Sequence, residues 1–261
     1  MIRLVICDVD GTMLDETERI PDKIGELSEL IKRKKVLFTI ASGREYSQVE
    51  ELERVLDIQI PIIMCNGTAA RSRMGFVWCE SIPGSILREL VERADRHGMT
   101  VVLSMPDGEF AYRKTAFVEQ TIREYGRFGN ILVPSGDGWD QVSVQKVLII
   151  DKEHGDGYGE ILKFLEKYGE KVTWVDFGDS IDVVPKGCTK ASGVRRLSEK
   201  LGIGLEEIMA LGDSYNDMEM LAEVGLGVAV NNAVDSLKAR ADYTCEGTYI
   251  DGVIEAIDKF C

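Results

Sequence analysis

Short apolar runs recur along the chain, each closing on polar or glycine residues: Leu4–Cys7, Val36–Ala41, Ile60–Cys65, Ile208–Leu211 and Leu226–Val230. A run with no polar alternation has no solvent-facing side, so these segments predict parallel strands buried on both faces. Between them the spacing is helical. From Pro21 to Lys34 the apolar Ile24, Leu27, Leu30 and Ile31 share one face, and a second helix is predicted from Tyr46 to Leu56. Strand alternating with helix predicts an α/β, doubly wound parallel sheet.

From about Ile82 to about Val184 the pattern changes. It predicts a helix over Ser85–His97, strands over Thr100–Ser104 and Phe110–Arg113, and a helix over Ala116–Tyr125. A strand over Val144–Ile150, a helix over Tyr158–Tyr168 and two further strands follow. This is the pattern of a separate α+β unit, with Pro83-Gly84 and Pro185-Lys186-Gly187 as punctuation at its edges. The chain therefore reads as a core formed by residues 1–81 and 185–261, with an inserted α+β cap over residues 82–184. It shows no internal repeat and no low-complexity tract.

Composition narrows the class without naming a chemistry. With 261 residues, 44% of them hydrophobic and 29% charged, the chain has the length and balance of an ordinary globular enzyme. Its apolar runs fall far short of the roughly 18 residues a membrane helix requires. Met1–Val5 leads directly into a strand instead of a signal sequence, and the cysteines at 7, 65, 79, 188, 245 and 261 show no paired metal spacing, which together fit a reducing cytoplasm. The formal net charge of -14 opposes binding to a nucleic-acid backbone or an anionic membrane, so neither is expected as a partner. The same charge repels a small phosphate ester, so a site for one has to gather local positive charge from a metal, a lysine or a helix N-terminus. The pattern sets no oligomeric state.

Ligands of open α/β sheets sit outside the carboxyl ends of the strands. The segments that follow the predicted strands are Asp8-Val9-Asp10-Gly11-Thr12, Ser42-Gly43-Arg44, Asn66-Gly67-Thr68 and Gly212-Asp213-Ser214-Tyr215-Asn216-Asp217. Four carboxylates converge there, and like charges in a confined site disfavour one another's ionised form unless a cation is present. Magnesium suits Asp8 and Asp213, because it takes one or two carboxylates and leaves room for water and substrate oxygens. Zinc would favour His or Cys, and the two histidines, His97 and His154, both lie in the middle segment and are assigned no role. Phosphate-ester hydrolysis, accelerated by enzymes as much as about 10²¹-fold, needs several roles filled at once. They are a carboxylate nucleophile, a second carboxyl group as acid and base, and fixed cations and donors around the phosphoryl group.

These segments resemble the motifs of the haloacid dehalogenase superfamily. Asp8-Val9-Asp10-Gly11-Thr12 is similar to its signature, and Ser42, Lys190 and Gly212–Asp217 stand where its other three motifs belong, in the same order. The insertion between Asn66-Gly67 and Pro185–Lys190 resembles the α/β cap of the Cof-like sugar-phosphatase subfamily, so the likeness spans essentially the whole chain. It implies a Rossmann-like core with a cap that closes over the site, and a magnesium-dependent phosphatase of small phosphate monoesters, sugar phosphates or related metabolites. By this resemblance Asp8 attacks phosphorus, while Asp10 protonates the leaving group and then activates water. Ser42 bonds a phosphoryl oxygen and Lys190 neutralises charge. Asp213 binds magnesium beside Asp8 and the Asp10 carbonyl, and Asp217 orients Lys190 or metal-bound water. Thr12, Gly43, Arg44, Asn66 and Asn216 are the implied substrate contacts. The chain departs from the family pattern at Asn231-Asn232-Ala233, where relatives commonly read Gly-Asn-Ala, and at Ala191, where glycine is frequent.

Taken singly, each motif has an ordinary reading. Asp8-x-Asp10-Gly11 and Asn66-Gly67 are turn sequences, Ser42 is a candidate helix N-cap, and Lys190 is one of many lysines. Glu16-Thr17-Glu18 and Glu50-Glu51 read as solvated faces, and Arg71, Arg73, Arg113 and Lys114 as surface charges. The conjunction of four motifs favours catalysis. Two alternatives share the chemistry: a phosphomutase or other phosphotransferase, in which a second hydroxyl accepts the phosphoryl group, and a receiver-like signalling module. The receiver explains neither Asp10 as an acid nor the inserted cap.

Overall fold

The computed structural model describes residues 1–134, 136–152, 155 and 157–261. Leu4, Val5, Ile6 and Cys7 are fully buried and form the central strand β1 (Leu4–Cys7). The chain continues through α1 (Ile24–Lys34), β2 (Leu37–Ile40), α2 (Glu50–Val55), β3 (Ile62–Met64), β4 (Ala69–Ser72) and β5 (Gly75–Cys79). It then enters a second unit made of α3 (Gly84–Arg96), β6 (Thr100–Met105), β7 (Gly108–Ala111), α4 (Ala116–Tyr125), β8 (Asn130–Ile131), β9 (Lys146–Ile150), α5 (Gly157–Lys167), β10 (Val172–Asp176) and β11 (Ser180–Pro185). It returns as α6 (Lys190–Leu201), β12 (Ile208–Gly212), α7 (Met218–Glu223), β13 (Leu226–Ala229), α8 (Asp235–Lys238), β14 (Tyr243–Thr244) and α9 (Tyr249–Phe260). The two compact units are Met1–Trp78 with Thr189–Cys261, and Cys79–Cys188.

The first unit is the doubly wound one. Its 5-stranded sheet runs β14-β13-β12-β1-β2 with every pair parallel. The chain leaves β1 toward β2 on one side and returns to β12 on the other, so the loops after β1 and β12 flank the switch in strand order, where such sheets bind ligands. Helix α1 buries Ile24, Leu27, Leu30 and Ile31 and ends at Lys35 in the left-handed region, φ 55°. The helix expected from Tyr46 to Leu56 is interrupted. A 3₁₀ turn, Tyr46–Gln48, is capped by Glu45 and not by Ser42, and the fully buried Val49, at φ -120°, separates the turn from α2. Tyr46 is fixed there by its hydroxyl, which donates to Glu53 Oε2 at 2.7 Å.

Strands β4 and β5 are not evident from the sequence. They complete a 3-stranded sheet with β3, in which Met64 faces Ala69 in antiparallel register, while β3 touches the main sheet through a parallel bridge between Ala41 and Ile63. The second unit is α+β. Its 6-stranded sheet, β10-β11-β9-β6-β7-β8, packs a large core containing Leu87, Leu90, Leu103, Val147, Ile161 and Val183, and a smaller one around Val102, Ala111, Val118 and Phe128. Among the described residues no helix is long and apolar enough to cross a membrane.

Close backbone packing fixes α6 in the first unit. Gly67 has φ +90°, and a Cβ there would lie 2.0 Å from the Thr189 carbonyl oxygen, whereas Gly202, at φ +63°, faces open space. Gly67→Ala is therefore expected to cost about 3 kcal/mol or more through a forced backbone shift. Gly202→Ala should cost about 1 kcal/mol, for the left-handed backbone alone. Urea unfolding midpoints of the two variants check the difference.

Candidate active site

The turn after β1 is built around one glycine. Met13 and Leu14 both donate their N–H to the Val9 carbonyl at 2.8 Å, and Gly11 N–H donates to the Leu14 carbonyl at 2.9 Å. Gly11 has φ +78°, and a Cβ on it would lie 2.2 Å from Asp213 Oδ2. Glycine is thus required both for the backbone angle and for the approach of Asp213. Thr12, fully buried, donates its hydroxyl to Asp213 Oδ1 at 3.0 Å. Asn232 ties the turn to the start of α9: its amide donates to the Gly11 carbonyl at 2.7 Å and accepts the Tyr249 N–H at 2.9 Å.

The catalytic candidates Asp8 and Lys190 meet in the interior. Thr189 caps α6 with a reciprocal capping box to Ser192, which fixes the first helical residue, Lys190. Its ammonium, 1% exposed, donates to Asp8 Oδ1 at 2.5 Å and to Asp217 Oδ1 at 2.7 Å. Asp217 Oδ2 accepts the backbone N–H groups of Asp213 and Ser214 at 3.0 and 3.1 Å. Asp217 is thereby held between a lysine and the backbone, in a position to orient Lys190.

Asp8, Asp213 and Asp217 each offer a carboxylate oxygen within 4.8 Å of the others. Burial pushes the Asp8 carboxyl well above the ordinary range, the Asp217 charge adds to this, and Lys190 opposes it. Burial, and then the Asp217 charge, push Asp213 up to about 6. Burial alone would lower the Lys190 pKa, but Asp217 and Asp8 outweigh it and hold the ammonium charged. Three carboxylates against one ammonium leave surplus negative charge that a hard divalent cation would neutralise, and the all-oxygen donor set suits one.

Two further groups of expected residues are joined by separate contacts. Asn216 donates its amide to Asn66 Oδ1 at 3.1 Å, linking the loop after β12 to the one after β3, where Asn66 is buried with φ 53°. Arg44 forms a bidentate pair with Asp10, Nε lying 3.0 and 2.9 Å from the two carboxylate oxygens. Ser42 and Gly43 lie in the loop beyond β2. Ala41 N–H donates to the Cys7 carbonyl at 3.0 Å, which brings this loop level with Asp8, and Ser42 Oγ accepts the Arg44 N–H at 3.1 Å.

Some residues read as surface charges have definite partners. Glu18, expected on a solvated face, accepts from Arg44 Nη2 at 3.0 Å. The Arg71 guanidinium lies 3.8 Å from the Tyr46 ring centroid, and Arg73 pairs with Asp57 at 2.9 Å. Arg113 pairs with Asp95, and Lys114 with Glu119 at 3.3 Å. His97 contacts Glu160 at 3.1 Å, and His154 lies outside the described residues. The partner of Glu18 could not be read from the sequence, because no spacing rule links a loop carboxylate to Arg44.

Acidic loops and a buried lysine thus meet at the switch point of a doubly wound core, and comparison with known proteins gives the class. The chain belongs to the haloacid dehalogenase-like hydrolase family, whose model matches residues 5–257. It is similar to the 5-amino-6-(5-phospho-D-ribitylamino)uracil phosphatase YcsE of Bacillus subtilis (strain 168), with 30% identity over 258 residues, 98% of this chain and 94% of that protein. It is 29% identical over 254 residues to the HMP-PP phosphatase of Serratia proteamaculans (strain 568), covering 92% of this chain and 87% of that one. Among solved structures, TM0651 from Thermotoga maritima superposes with a TM-score of 0.82 at 26% identity, covering 100% of this chain and 98% of that one.

The raised Asp213 pKa has a consequence for stability. The folded state binds this proton more tightly than the unfolded chain. The carboxyl therefore favours folding fully below its ordinary pKa, and that contribution is lost as pH rises through about 6. A divalent cation should accordingly raise the melting temperature by roughly a few degrees more at about pH 7.5 than at about pH 5. Thermal melts with the cation and with chelator check this, and in Asp213→Asn the difference between the two pH values should shrink.

Proposed function

We propose that this protein is a magnesium-dependent phosphatase that hydrolyses small phosphate monoesters, sugar phosphates or related metabolites, through a phosphoryl group carried transiently on Asp8. The observation that carries the reading is the buried Asp8 at the end of the central strand with Lys190 Nζ 2.5 Å from its Oδ1. An ammonium on one oxygen orients the carboxylate and offers positive charge to a phosphoryl group in a protein whose net charge of -14 otherwise repels one. The relatives' names point to phosphate esters of small metabolites as the substrate class.

Asp8 attacks phosphorus, and the P–O bond to the leaving group breaks as Asp10 delivers a proton to the departing oxygen. Asp10, now a carboxylate, takes a proton from water as that water attacks phosphorus, which releases inorganic phosphate and restores Asp8. Ser42 Oγ accepts from Arg44, so its own O–H remains to donate to a phosphoryl oxygen. Lys190, held by Asp217, stays charged through both steps and faces the oxygens on which negative charge develops. Asp8, Asp213 and the Asp10 main-chain carbonyl are the groups that would hold magnesium, which when bound supplies charge neutralisation and Lewis acidity at the phosphoryl group. Asn66 and Asn216 brace each other beside these loops, and Thr12 braces Asp213.

Phosphate release from ribose 5-phosphate, glucose 6-phosphate and 2,4-dinitrophenyl phosphate, with magnesium and with excess chelator, tests the reading on the native protein and Asp8→Asn. Magnesium-dependent turnover is expected, with a loss of roughly 10³-fold or more in the variant. Turnover indifferent to Asp8, or phosphate passed to a second sugar hydroxyl in place of water, would replace this reading.

A further inference from the structure

Arg44 stands beside the proposed site, yet its guanidinium is engaged by two carboxylates of the chain itself. Nε and Nη2 both donate to Asp10, and Nη2 also donates to Glu18 Oε2 at 3.0 Å. We propose that Glu18 is a positioning residue for the general acid: it anchors Arg44, and Arg44 in turn aims the Asp10 carboxyl at the leaving-group oxygen. The proposal rests on the phosphatase reading above.

Three observations support it. First, Arg44 is fixed at its backbone, where its N–H donates to Ser42 Oγ at 3.1 Å and its carbonyl accepts the Cys65 N–H at 3.0 Å. Its side chain is 11% exposed, against 49% for Asp10 and 39% for Glu18, so a well-seated guanidinium holds two more exposed carboxylates. Second, Asp10 and Glu18 lie at the two ends of one loop. The Asp10–Leu14 bridge opens it, and Arg44 staples its start to its finish. Third, Glu18 has φ 56°, a left-handed backbone that side chains rarely adopt. It is held there by its N–H donating to the Asp15 carbonyl at 3.0 Å and by the neighbouring Thr17 N–H donating to Asp15 Oδ1 at 2.9 Å.

Ion pairs of this exposure contribute little to folding, so their effect is directional. A phosphoryl dianion entering the site competes with Asp10 for the same guanidinium. The second carboxylate on Nη2 holds Arg44 in place and keeps Asp10 aligned when the proton leaves it.

The test uses the leaving group. Dinitrophenolate departs without a proton, whereas a sugar alkoxide requires one, so misalignment of Asp10 is felt selectively. In the full-length protein, Glu18→Gln should lower kcat/KM for the better sugar phosphate of the panel about tenfold or more. For 2,4-dinitrophenyl phosphate the change should stay within about twofold. Glu18→Asp should fall between native and Glu18→Gln. Melting temperatures near native confirm that each variant is folded. Equal losses on both substrates, or no loss on either, overturn the positioning role. Asp8→Asn separates this from failure of the parent reading, because if that variant retains turnover the phosphatase mechanism falls whatever Glu18 does.

Discussion

The buried ammonium of Lys190 is the constraint around which the first unit is organised. A charge this far from water is tolerated only with close, well-oriented partners, and removing one partner from such a pair typically costs about 3–5 kcal/mol. The partners arrive on separate elements. Asp8 comes from the end of β1, Asp217 from the loop after β12, and the lysine from the first turn of α6. None can shift independently. The capping box at Thr189 and Ser192 sets where α6 begins, and the glycine contacts set how near it comes. A Cβ on Gly193 would lie 2.6 Å from Ile63 Cγ2, and one on Gly67 would meet the Thr189 carbonyl. The backbone packing of β3, its following turn and α6 is therefore the mechanical support for one ion cluster.

That cluster is not electrically balanced by the chain alone. Asp8 and Asp213 face each other, and burial together with the Asp217 charge raises both pKa values while Lys190 opposes the rise. A fold that needed only a satisfied core would have replaced one of these carboxylates with a neutral residue. The three carboxylates around one ammonium carry surplus negative charge that a divalent cation would offset. In a protein of net charge -14 a small anion would need local positive charge, and a cation at this cluster would supply it.

The strands and the residues after them were legible because register fixes both. A strand buried on both faces carries an unbroken apolar run, and the first polar residue after it falls at the sheet's carboxyl edge, as Asp8, Ser42, Asn66 and Asp213 do. Strands β4 and β5 escaped because Arg71, Ser72, Phe76 and Val77 mix polar and apolar positions on a small sheet that is only partly buried. The break at Val49 escaped because helical spacing continues through it, and only the burial of Val49 and the anchoring of Tyr46 on Glu53 show why the turn tightens. Glu18 was hidden for a different reason. Its partner lies across the fold, and a loop carboxylate carries no periodic signal that would link it to a distant arginine.

Asp213 and Asp217 show how far a motif can be read and where geometry takes over. They sit four positions apart in one acidic segment, and the family resemblance implies a metal ligand in Asp213 and an orienting group for Lys190 or metal-bound water in Asp217. In the structure Asp217 has one oxygen on Lys190 and the other on two backbone N–H groups. A cation drawing on it directly would have to compete with an ammonium and a backbone turn. Asp213 instead meets Thr12 and Asp8, so one of its neighbours is another carboxylate, and a cation relieves that contact. The two residues divide the work, with Asp217 holding the fixed cation of the chain and Asp213 suited to receive the exchangeable one. Since Asp217 also accepts the N–H of Asp213, the residue that holds Lys190 also shapes the loop that presents Asp213, and any change at Asp217 reaches both.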